Sequence, residues 1–452
     1  MGKYKLNIYK LMTPCVFFQL ITLLIYLNEN IINVGENGSA LPILGIYFSL
    51  SVCVVTVLLF RYLLFIKLHI ILFLLLIAWI ALKIMLDLSD LEYLKQMTIS
   101  TTGGILLFYI MGAFMSPSYQ FLMNKDNITS ALIIFIISFG LILLTLNNFF
   151  LRMRTDIFLL SDIKGAYQRP GNFLSIYYII ISFMFLLFPF KMVKNKKNKL
   201  LTIFWLFFYS ITTLIYLICS QLMGSNSATG ITLGIYVITL VVSLILFNKK
   251  IWLKYSINKL NIPWSKRFIS YLTRIIIFSI IILTLLLIFV VLFTDFDFNK
   301  IRLLGFGSNS NSSLSTRANI LFETGVEQLG YSPFIGEMNV AYYITGNSGK
   351  YLHNFILNIM SRLGLIGLLI VVFLFIHIFY DLYRQVINKT NASLHNYKNC
   401  IFNLYSFFIL LYIFTFANMT TSMSWSVIWF AVGFISSPIR FISSPNKIKT
   451  NK

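Results

Sequence analysis

His353 is the residue of this chain best suited to move a proton near neutral pH. It stands at the start of a long apolar stretch, YLHNFILNIMSRLGLIGLL, just after the longest polar segment of the chain. The ordinary pKa of histidine lies close to neutrality, which suits a general base. The alternative is an interfacial histidine that is hydrogen-bonded to the neighbouring loop.

Arg317 is the second candidate, in the segment TRANILFETGVEQLG. The apolar spacing predicts an amphipathic helix that ends at Gly330 and rests on the membrane surface or at the mouth of a bundle. Its apolar face consists of Phe322, Val326 and Leu329. Arg317 would then lie in the first turn, where free amides and the helix dipole attract anions and a guanidinium adds forked donors for phosphate. The alternative is an arginine that pairs with Glu323 or contacts lipid headgroups.

Arg362 is a charge inside an apolar stretch. It follows His353 by roughly 13 Å of helical rise. A buried charge in a membrane is costly and usually faces a cavity or a partner. Arg362 therefore either lines a channel that holds a lipid pyrophosphate or pairs with an acid of the bundle.

The composition of the chain is typical of a protein that is embedded in a lipid bilayer. It has 452 residues, of which 58% are hydrophobic and 11% charged, with a mean hydropathy of +0.84. Soluble domains are about 25% charged, so a water-soluble enzyme is excluded. Stretches of about 20 apolar residues can span a bilayer, and the sequence predicts an all-α, polytopic membrane bundle of about 12 transmembrane helices. The stretches are 12–32, 41–60, 68–88, 97–115, 128–147, 173–190, 200–222, 228–247, 275–294, 352–380, 401–417 and 424–441.

The distribution of charge predicts the orientation. With both termini cytoplasmic, most of the 36 Lys and Arg fall inside and most of the 14 Asp and Glu fall outside, as the positive-inside rule requires. The net charge of +22 then reflects topology, and nucleic acid is excluded as a partner. His353 becomes the only histidine on the outer face. The four cysteines lack disulfide or metal-ligand spacing, so we expect neither a disulfide nor a metal site.

Two external segments interrupt the spans. The first, 148–172, is short and basic and includes Arg154 and Arg169. The second, 295–351, is long enough to indicate a functional loop. The chain is thus divided into helices one to nine (1–294), a large external loop (295–351), and helices ten to twelve with a cytoplasmic tail (352–452).

Taken in order, these features resemble the O-antigen ligase and polymerase superfamily of bacterial membrane glycosyltransferases. The shared pattern is an external arginine on a surface helix, a short Ser-Pro segment, and a His-Asn pair at the start of a span that continues into Gly-x-x-Gly. In this chain the pattern consists of Arg317, Ser332 to Gly336, His353-Asn354, and Gly364 to Gly367. The span layout extends the likeness over the whole chain.

The resemblance implies a fold, a reaction and a location. Family members transfer glycan from an undecaprenyl-pyrophosphate carrier at the periplasmic face of the bacterial inner membrane, without a metal or other cofactor. A polymerase extends the chain on another lipid-linked repeat unit, and a ligase moves it onto lipid A-core. By resemblance, His353 is the base, Arg317 clamps the pyrophosphate, and Asn354 and Arg362 contact substrate. Membrane lipid and a polysaccharide chain-length regulator are the implied partners.

The chain departs from the family pattern at the eighth span. Members generally have an arginine in a Ser-Arg-like motif there, whereas this sequence reads GSNSATGITLG. The departure counts against a ligase and leaves one phosphate contact unassigned. Arg154 and Arg169 of the first external segment are the replacements that we expect to bind donor or acceptor.

Two other classes remain open. One is a metal-dependent lipid-phosphate glycosyltransferase, for which Glu29 and Glu36, or Asp295 and Asp297, would supply acidic ligands. The other is a flippase or transporter of lipid-linked sugars, which can also have twelve spans and a basic inner face. Transporters often contain inverted repeats, and no repeated halves are evident in this sequence.

Overall fold

The structure is a computed structural model that describes part of the chain. The described residues are 63–64, 67–87, 94, 103–113, 116, 168–192, 199–222, 225–247, 313–347, 349–387, 394–437 and 439–440. The helices in this part are α1 Leu68–Leu86, α2 Gly103–Ala113, α3 Gln168–Met192, α4 Lys199–Leu222, α5 Asn226–Phe247, α6 Ser313–Glu323, α7 Gly325–Gly330, α8 Val340–Thr345, α9 Phe355–Ile387, α10 Leu394–Thr420 and α11 Ser426–Ile435. Two short strands, β1 Leu63–Leu64 and β2 Ile439–Arg440, pair antiparallel, with Leu63 opposite Arg440.

Several of these helices are apolar enough to be embedded in a membrane. Four of them are also long enough to cross it, namely Leu68–Leu86, Asn226–Ser243, Phe355–Val386 and Phe402–Met419. Shorter apolar helices are Gly103–Ala113, Leu174–Leu186, Phe207–Gln221 and Ser426–Ile435. Together they confirm the expectation of a helical membrane protein. The predicted stretches 12–32, 41–60, 128–147 and 275–294 lie outside the described residues.

The described helices differ from the predicted ones in three places. Helix α3 begins at Gln168, inside the expected basic loop, because Pro170 falls in the first turn, where no backbone donor is needed. The single amphipathic helix expected up to Gly330 is two helices separated at Thr324. Helix α9 begins at Phe355 and contains a break at Gly364, where the backbone leaves the helical region. The span was expected to be continuous.

The chain folds into two compact units that are not contiguous in sequence. One unit contains α1, α2, α7, α8 and α11, nearly all of α6, α9 as far as Tyr380, and α10 from Ile413. The other contains α3, α4, α5, the end of α9 and most of α10. The residues of interest around His353 all belong to the first unit.

Aromatic side chains fill the core of the first unit. Trp429 is 1% exposed, and its indole N–H donates to the carbonyl of Met423 at 2.6 Å. The Phe73 and Phe355 rings lie 6.0 and 5.9 Å from the Trp429 ring. Phe73 also stacks on Tyr109 at 3.6 Å. These contacts hold α1, α2, α9 and α11 together, because large rings gain from both burial and ring geometry.

Two glycines let α2 and α11 approach closely. A Cβ placed on Gly112 would overlap the backbone of Phe430, and one placed on Gly433 would overlap the backbone of Tyr109. Small residues at such crossings are how helices pack in lipid, where apolar burial between helices gains little.

Hydroxyl groups hold the second unit together. The Tyr178 hydroxyl lies 2.7 Å from Thr213 Oγ1 and 3.1 Å from the Tyr209 hydroxyl, which in turn lies 2.9 Å from Ser182 Oγ. All four side chains are buried. Helices α3 and α4 are therefore joined by a satisfied polar network, the form that polar groups require in an apolar interior.

We expect the α2–α11 crossing to tolerate no added methyl group. Gly433→Ala should lower stability by about 1–3 kcal/mol because the new Cβ meets backbone that cannot move aside. The readout is the thermal unfolding midpoint of the purified protein in detergent. Gly104→Ala, on α2 with nothing within 4 Å of its added Cβ, is the matched control and should not lower the midpoint. Equal midpoints for the two variants would contradict the close contact.

Candidate functional site

Asn354 fixes the start of α9 and thereby the place of His353. The Asn354 Oδ1 accepts a hydrogen bond from the Leu357 N–H at 3.0 Å, which is the action of a helix N-cap. Its Nδ2 donates to the carbonyl of Asn418 at 2.6 Å, and the Asn418 Oδ1 accepts the Ile356 N–H at 3.0 Å. The Asn354 side chain is therefore engaged structurally, and its contact with substrate stays a prediction.

His353 lies in a half-buried position beside an aromatic ring and a cation. Its imidazole centroid lies 4.6 Å from that of Tyr351. Burial, and secondly the positive charge of Arg317, lowers the pKa of His353 from its ordinary 6.5 to about 4. Both causes disfavour the imidazolium. The side chain is therefore neutral at physiological pH, as a general base must be.

Arg317 lies on helix α6 and acts electrostatically on His353, but it does not lie in the first turn of that helix. Since α6 begins at Ser313, Arg317 is one turn further along than the sequence predicted. The neighbouring α7 packs on the residues just before His353. The buried Gln328 donates from Nε2 to the carbonyl of Lys350 at 2.8 Å, and the Cβ position of Gly325 lies 3.3 Å from the Leu352 side chain.

The apolar residues that predicted this helix do not form its packing face. Phe322 and Val326 are 81% and 79% exposed, whereas Ile320, Gly325 and Gln328 are buried. The expected amphipathic character is present, and in the described part of the chain its apolar side is left uncovered. A helix of this kind suits a membrane surface.

Arg362 contacts the same aromatic ring. Its guanidinium carbon lies 5.5 Å from the centre of the Tyr351 ring, a cation–π distance. The Arg362 Nε is buried, and within the described residues it has no hydrogen-bond partner and no carboxylate pairs with the guanidinium. Arg362 and His353 thus contact the same Tyr351 ring, and the described structure contains no acid that compensates this arginine.

A break in α9 follows Arg362 by two residues. Gly364 has φ +69° and Gly336 has φ +74°, and a Cβ on either glycine would overlap the backbone around the other. Only glycine combines positive φ with so close a crossing. Residues 333–337, which we call the crossing segment, pass over the break in α9. Three backbone hydrogen bonds tie this segment to the break: Leu365 N–H to Pro333 O (2.9 Å), Ile366 N–H to Phe334 O (3.3 Å) and Glu337 N–H to Ser361 O (3.0 Å). The Ser-Pro segment of the sequence pattern is therefore the partner of the broken helix.

A buried ion pair on α1 supports this crossing. Lys83, which is 1% exposed, pairs with Asp87 at 2.7 Å and donates to the carbonyl of Gly336 at 2.8 Å. The Asp87 Oδ2 accepts the Met338 N–H at 3.0 Å. One turn earlier, the Trp79 indole donates to the carbonyl of Leu363 at 2.9 Å. The sequence analysis assigns no role to Lys83. The spacing of Trp79, Lys83 and Asp87, at i, i+4 and i+8 in an apolar span, nevertheless indicates one helix face with a common partner.

Glu337 completes the polar surroundings of the ion pair. Burial raises the pKa of its carboxyl group, and Asp87 raises it further, whereas the Asn339 N–H and Lys83 lower it. The Asn339 N–H donates to Glu337 Oε1 at 3.2 Å.

Arg154 and Arg169 are the two predicted site residues that do not belong to the described part of the first unit. Arg154 lies outside the described residues, and Arg169 is the second residue of α3, in the other unit. Their roles stay predictions. His69 and His377, which had been assigned to the cytoplasmic end, lie together, with ring centroids 5.8 Å apart, and His69 Nε2 donates to the carbonyl of Ser436 at 2.8 Å.

Comparison with known proteins adds no relative to this description. A scan against models of protein families, a search of curated proteins and a search of solved structures each found no match. The function must therefore be argued from the site itself.

The low pKa of His353 predicts an unusual pH dependence of its chemical modification. Diethylpyrocarbonate acylates neutral imidazole, so the rate at His353, followed by peptide mass spectrometry, should stay nearly constant down to about pH 5.5, where an ordinary histidine is mostly protonated. Arg317→Gln removes the neighbouring positive charge, raises the pKa and should slow the reaction at that pH. The detergent-denatured protein is the control, with an inflection at the ordinary value. An ordinary inflection in the folded protein would contradict the arrangement.

Proposed function

We propose that this protein polymerises lipid-linked oligosaccharide repeat units into O-antigen or a related surface polysaccharide. The reaction takes place at the periplasmic face of the bacterial inner membrane, in a bundle of about 12 transmembrane helices with both termini in the cytoplasm. The observation that carries the proposal is a neutral imidazole, His353, beside the guanidinium of Arg317. The sequence resemblance assigns the substrate, undecaprenyl-pyrophosphate-linked glycan.

The two side chains divide the chemistry between them. His353 takes the proton of an acceptor sugar hydroxyl while the hydroxyl oxygen attacks the anomeric carbon of the donor. The bond from that carbon to the pyrophosphate oxygen breaks, and undecaprenyl pyrophosphate leaves with the bonding electrons. Arg317 stabilises the charge that grows on the leaving group. A single displacement of this kind inverts the anomeric configuration.

Arg317 also controls when His353 becomes a useful base. Without substrate, the nearby cation helps to keep the pKa of His353 near 4. A bound pyrophosphate cancels that positive charge and places negative charge close to the imidazole, so the pKa of His353 rises. The base therefore gains strength when the donor is bound.

Arg362 suits the lipid side of the same site. Its charge is uncompensated by any described carboxylate, and it shares Tyr351 with His353. A guanidinium that is held in an apolar region without an acid is a strong binder of phosphate. We therefore assign Arg362 to the pyrophosphate and leave Arg154 and Arg169 as auxiliary contacts.

Contacts within the first unit agree with the predicted relation of the spans to one another. Segments assigned to the outer face meet one another, as Lys83 does with Gly336 and Asn354 with Asn418. Segments assigned to the inner face also meet, as His69 does with His377. A span shifted by one crossing would place bonded residues on opposite sides, whereas inversion of the whole bundle would not, so the choice of inside and outside rests on the distribution of charge.

Removal of either catalytic side chain should abolish long polymer. We expect His353→Ala and Arg317→Ala each to lower long-chain product by at least about 100-fold, the usual cost of losing a base or a charge-stabilising donor. The measurement is the ladder of lipopolysaccharide chain lengths in a deletion strain that carries each variant, with membrane levels checked by blot. Arg384→Ala, an exposed arginine in the last turn of α9, is the control. Normal ladders in either catalytic variant would remove that residue from the mechanism.

The deletion strain itself separates the candidate activities. A polymerase predicts lipid A-core that carries a single repeat unit. A ligase predicts bare core with accumulated lipid-linked polymer, and a flippase predicts repeat units trapped on the inner face. Activity that persists in chelator would exclude the metal-dependent class.

A further inference from the structure

The outer half of α1 presents three polar side chains on one helix face. Trp79, Lys83 and Asp87 follow one another at intervals of four residues, which places them in line along the helix. The neighbouring Leu82, Met85 and Leu86 are exposed and apolar, as a lipid-facing surface requires. We call the three polar residues the α1 stripe.

The α1 stripe is hydrogen-bonded to both backbone segments that meet at the break in α9. Trp79 binds the carbonyl of Leu363, immediately before the break in α9, and Lys83 binds the carbonyl of Gly336 in the crossing segment. Asp87 accepts the Met338 N–H through its side chain, and its own carbonyl accepts from Asn339 Nδ2 at 3.3 Å. A single helix face thus connects the two backbones where they meet.

The ion pair in the stripe has no capacity left for a ligand. The Lys83 ammonium lies 2.8 and 2.7 Å from the two Asp87 oxygens and 2.8 Å from the Gly336 carbonyl, and it is 1% exposed. Its charge is therefore neutralised and its donors are engaged. Arg362, by contrast, has no carboxylate partner in the described structure. The paired cation and the unpaired cation must serve different purposes.

A buried ion pair is a costly way to stabilise a protein, since apolar side chains of similar size often do as well. Its distinctive contribution is geometric, because a charged pair accepts only one arrangement of its partners. Here that arrangement holds the two backbones that meet at the break, and Arg362 lies between Ser361 and Leu363, two residues whose carbonyls are held at the crossing.

We propose that Trp79, Lys83 and Asp87 are positioning residues that hold the break in α9 so that Arg362 faces the lipid pyrophosphate. This inference rests on the proposed function, because it takes the pyrophosphate as the group that Arg362 meets. A reactive group that is misplaced by about 1 Å can lose 100-fold in rate. The stripe should therefore act on turnover without touching the substrate.

The test removes the ion pair of the α1 stripe and its hydrogen bond to Gly336 without leaving an unpaired buried charge. Lys83→Met/Asp87→Asn eliminates both charges and the donor to Gly336, whereas Lys83→Arg retains a charge and several donors. Lys67→Met, at the other end of α1, is the matched lysine control. The substrate is the lipid-linked repeat unit extracted from cells that lack the protein, supplied to each purified variant in liposomes.

One readout does not depend on activity. Met338 is 2% exposed, so Met338→Cys, in a variant whose four native cysteines are replaced by serine, should resist a membrane-impermeant maleimide. The double variant should expose this cysteine to labelling. Lys83→Arg and Lys67→Met should leave it protected.

The kinetic readout separates positioning from binding. In the double variant we expect kcat to fall by about 10- to 100-fold, because Arg362 is misplaced relative to the charge that develops on the leaving pyrophosphate, with a smaller rise in KM because Arg362 also contacts the bound donor. Lys83→Arg should restore most of kcat. A protected cysteine at position 338 in the double variant, an unchanged kcat, or an effect on KM alone would each overturn the inference. If the wild-type protein makes no polymer, the proposed function fails and the positioning role fails with it, whereas the labelling result still decides whether the stripe holds the crossing.

Discussion

A helix that breaks inside an apolar span leaves backbone amides and carbonyls that must find partners within the protein. The architecture around α9 is a solution to this constraint. The crossing segment accepts hydrogen bonds from the N–H groups of Leu365 and Ile366, and it donates one to the carbonyl of Ser361. Trp79 takes that of Leu363. Because every one of these partners comes from a distant part of the sequence, the break links the loop before α9, α1 and α9 into one structural element.

The electrostatics of the first unit follow from the same crossing. Lys83 is neutralised by Asp87 and holds backbone, whereas Arg362 stands close by without an acid in the described residues. His353 is neutral because it is half-buried beside Arg317. The charges of Arg317 and Arg362 favour an anion near the uncharged imidazole, whereas the nearby Glu337 carboxyl group, whose pKa is raised by burial, opposes an anion less than an ordinary carboxylate would. The proposed pyrophosphate substrate is compatible with this balance.

The sequence predicted those features that depend on local composition. Long apolar runs predicted helices such as α1 and α5, because that signal lies within one segment. The orientation inferred from charge stays a prediction. The importance of Arg317 and His353 was inferred from residue type and order. What failed was local detail: the expected single helix is interrupted at Thr324, and the second part packs through Gln328 on Lys350. The exposed Phe322 and Val326 agree with the expected uncovered apolar face.

The break at Gly364 could not be predicted, because Gly-x-x-Gly is common in membrane helices and is usually compatible with a continuous helix. Its cause lies in Gly336, since each glycine occupies the space that a Cβ on the other would need. The periodic spacing of Trp79, Lys83 and Asp87 can be recognised in the sequence. The group that these residues bind cannot be recognised there. A buried lysine one turn from an aspartate indicates that something polar must lie opposite. In this protein that opposite group is main chain, which carries no residue-specific signature, and only the folded structure reveals which backbone it is.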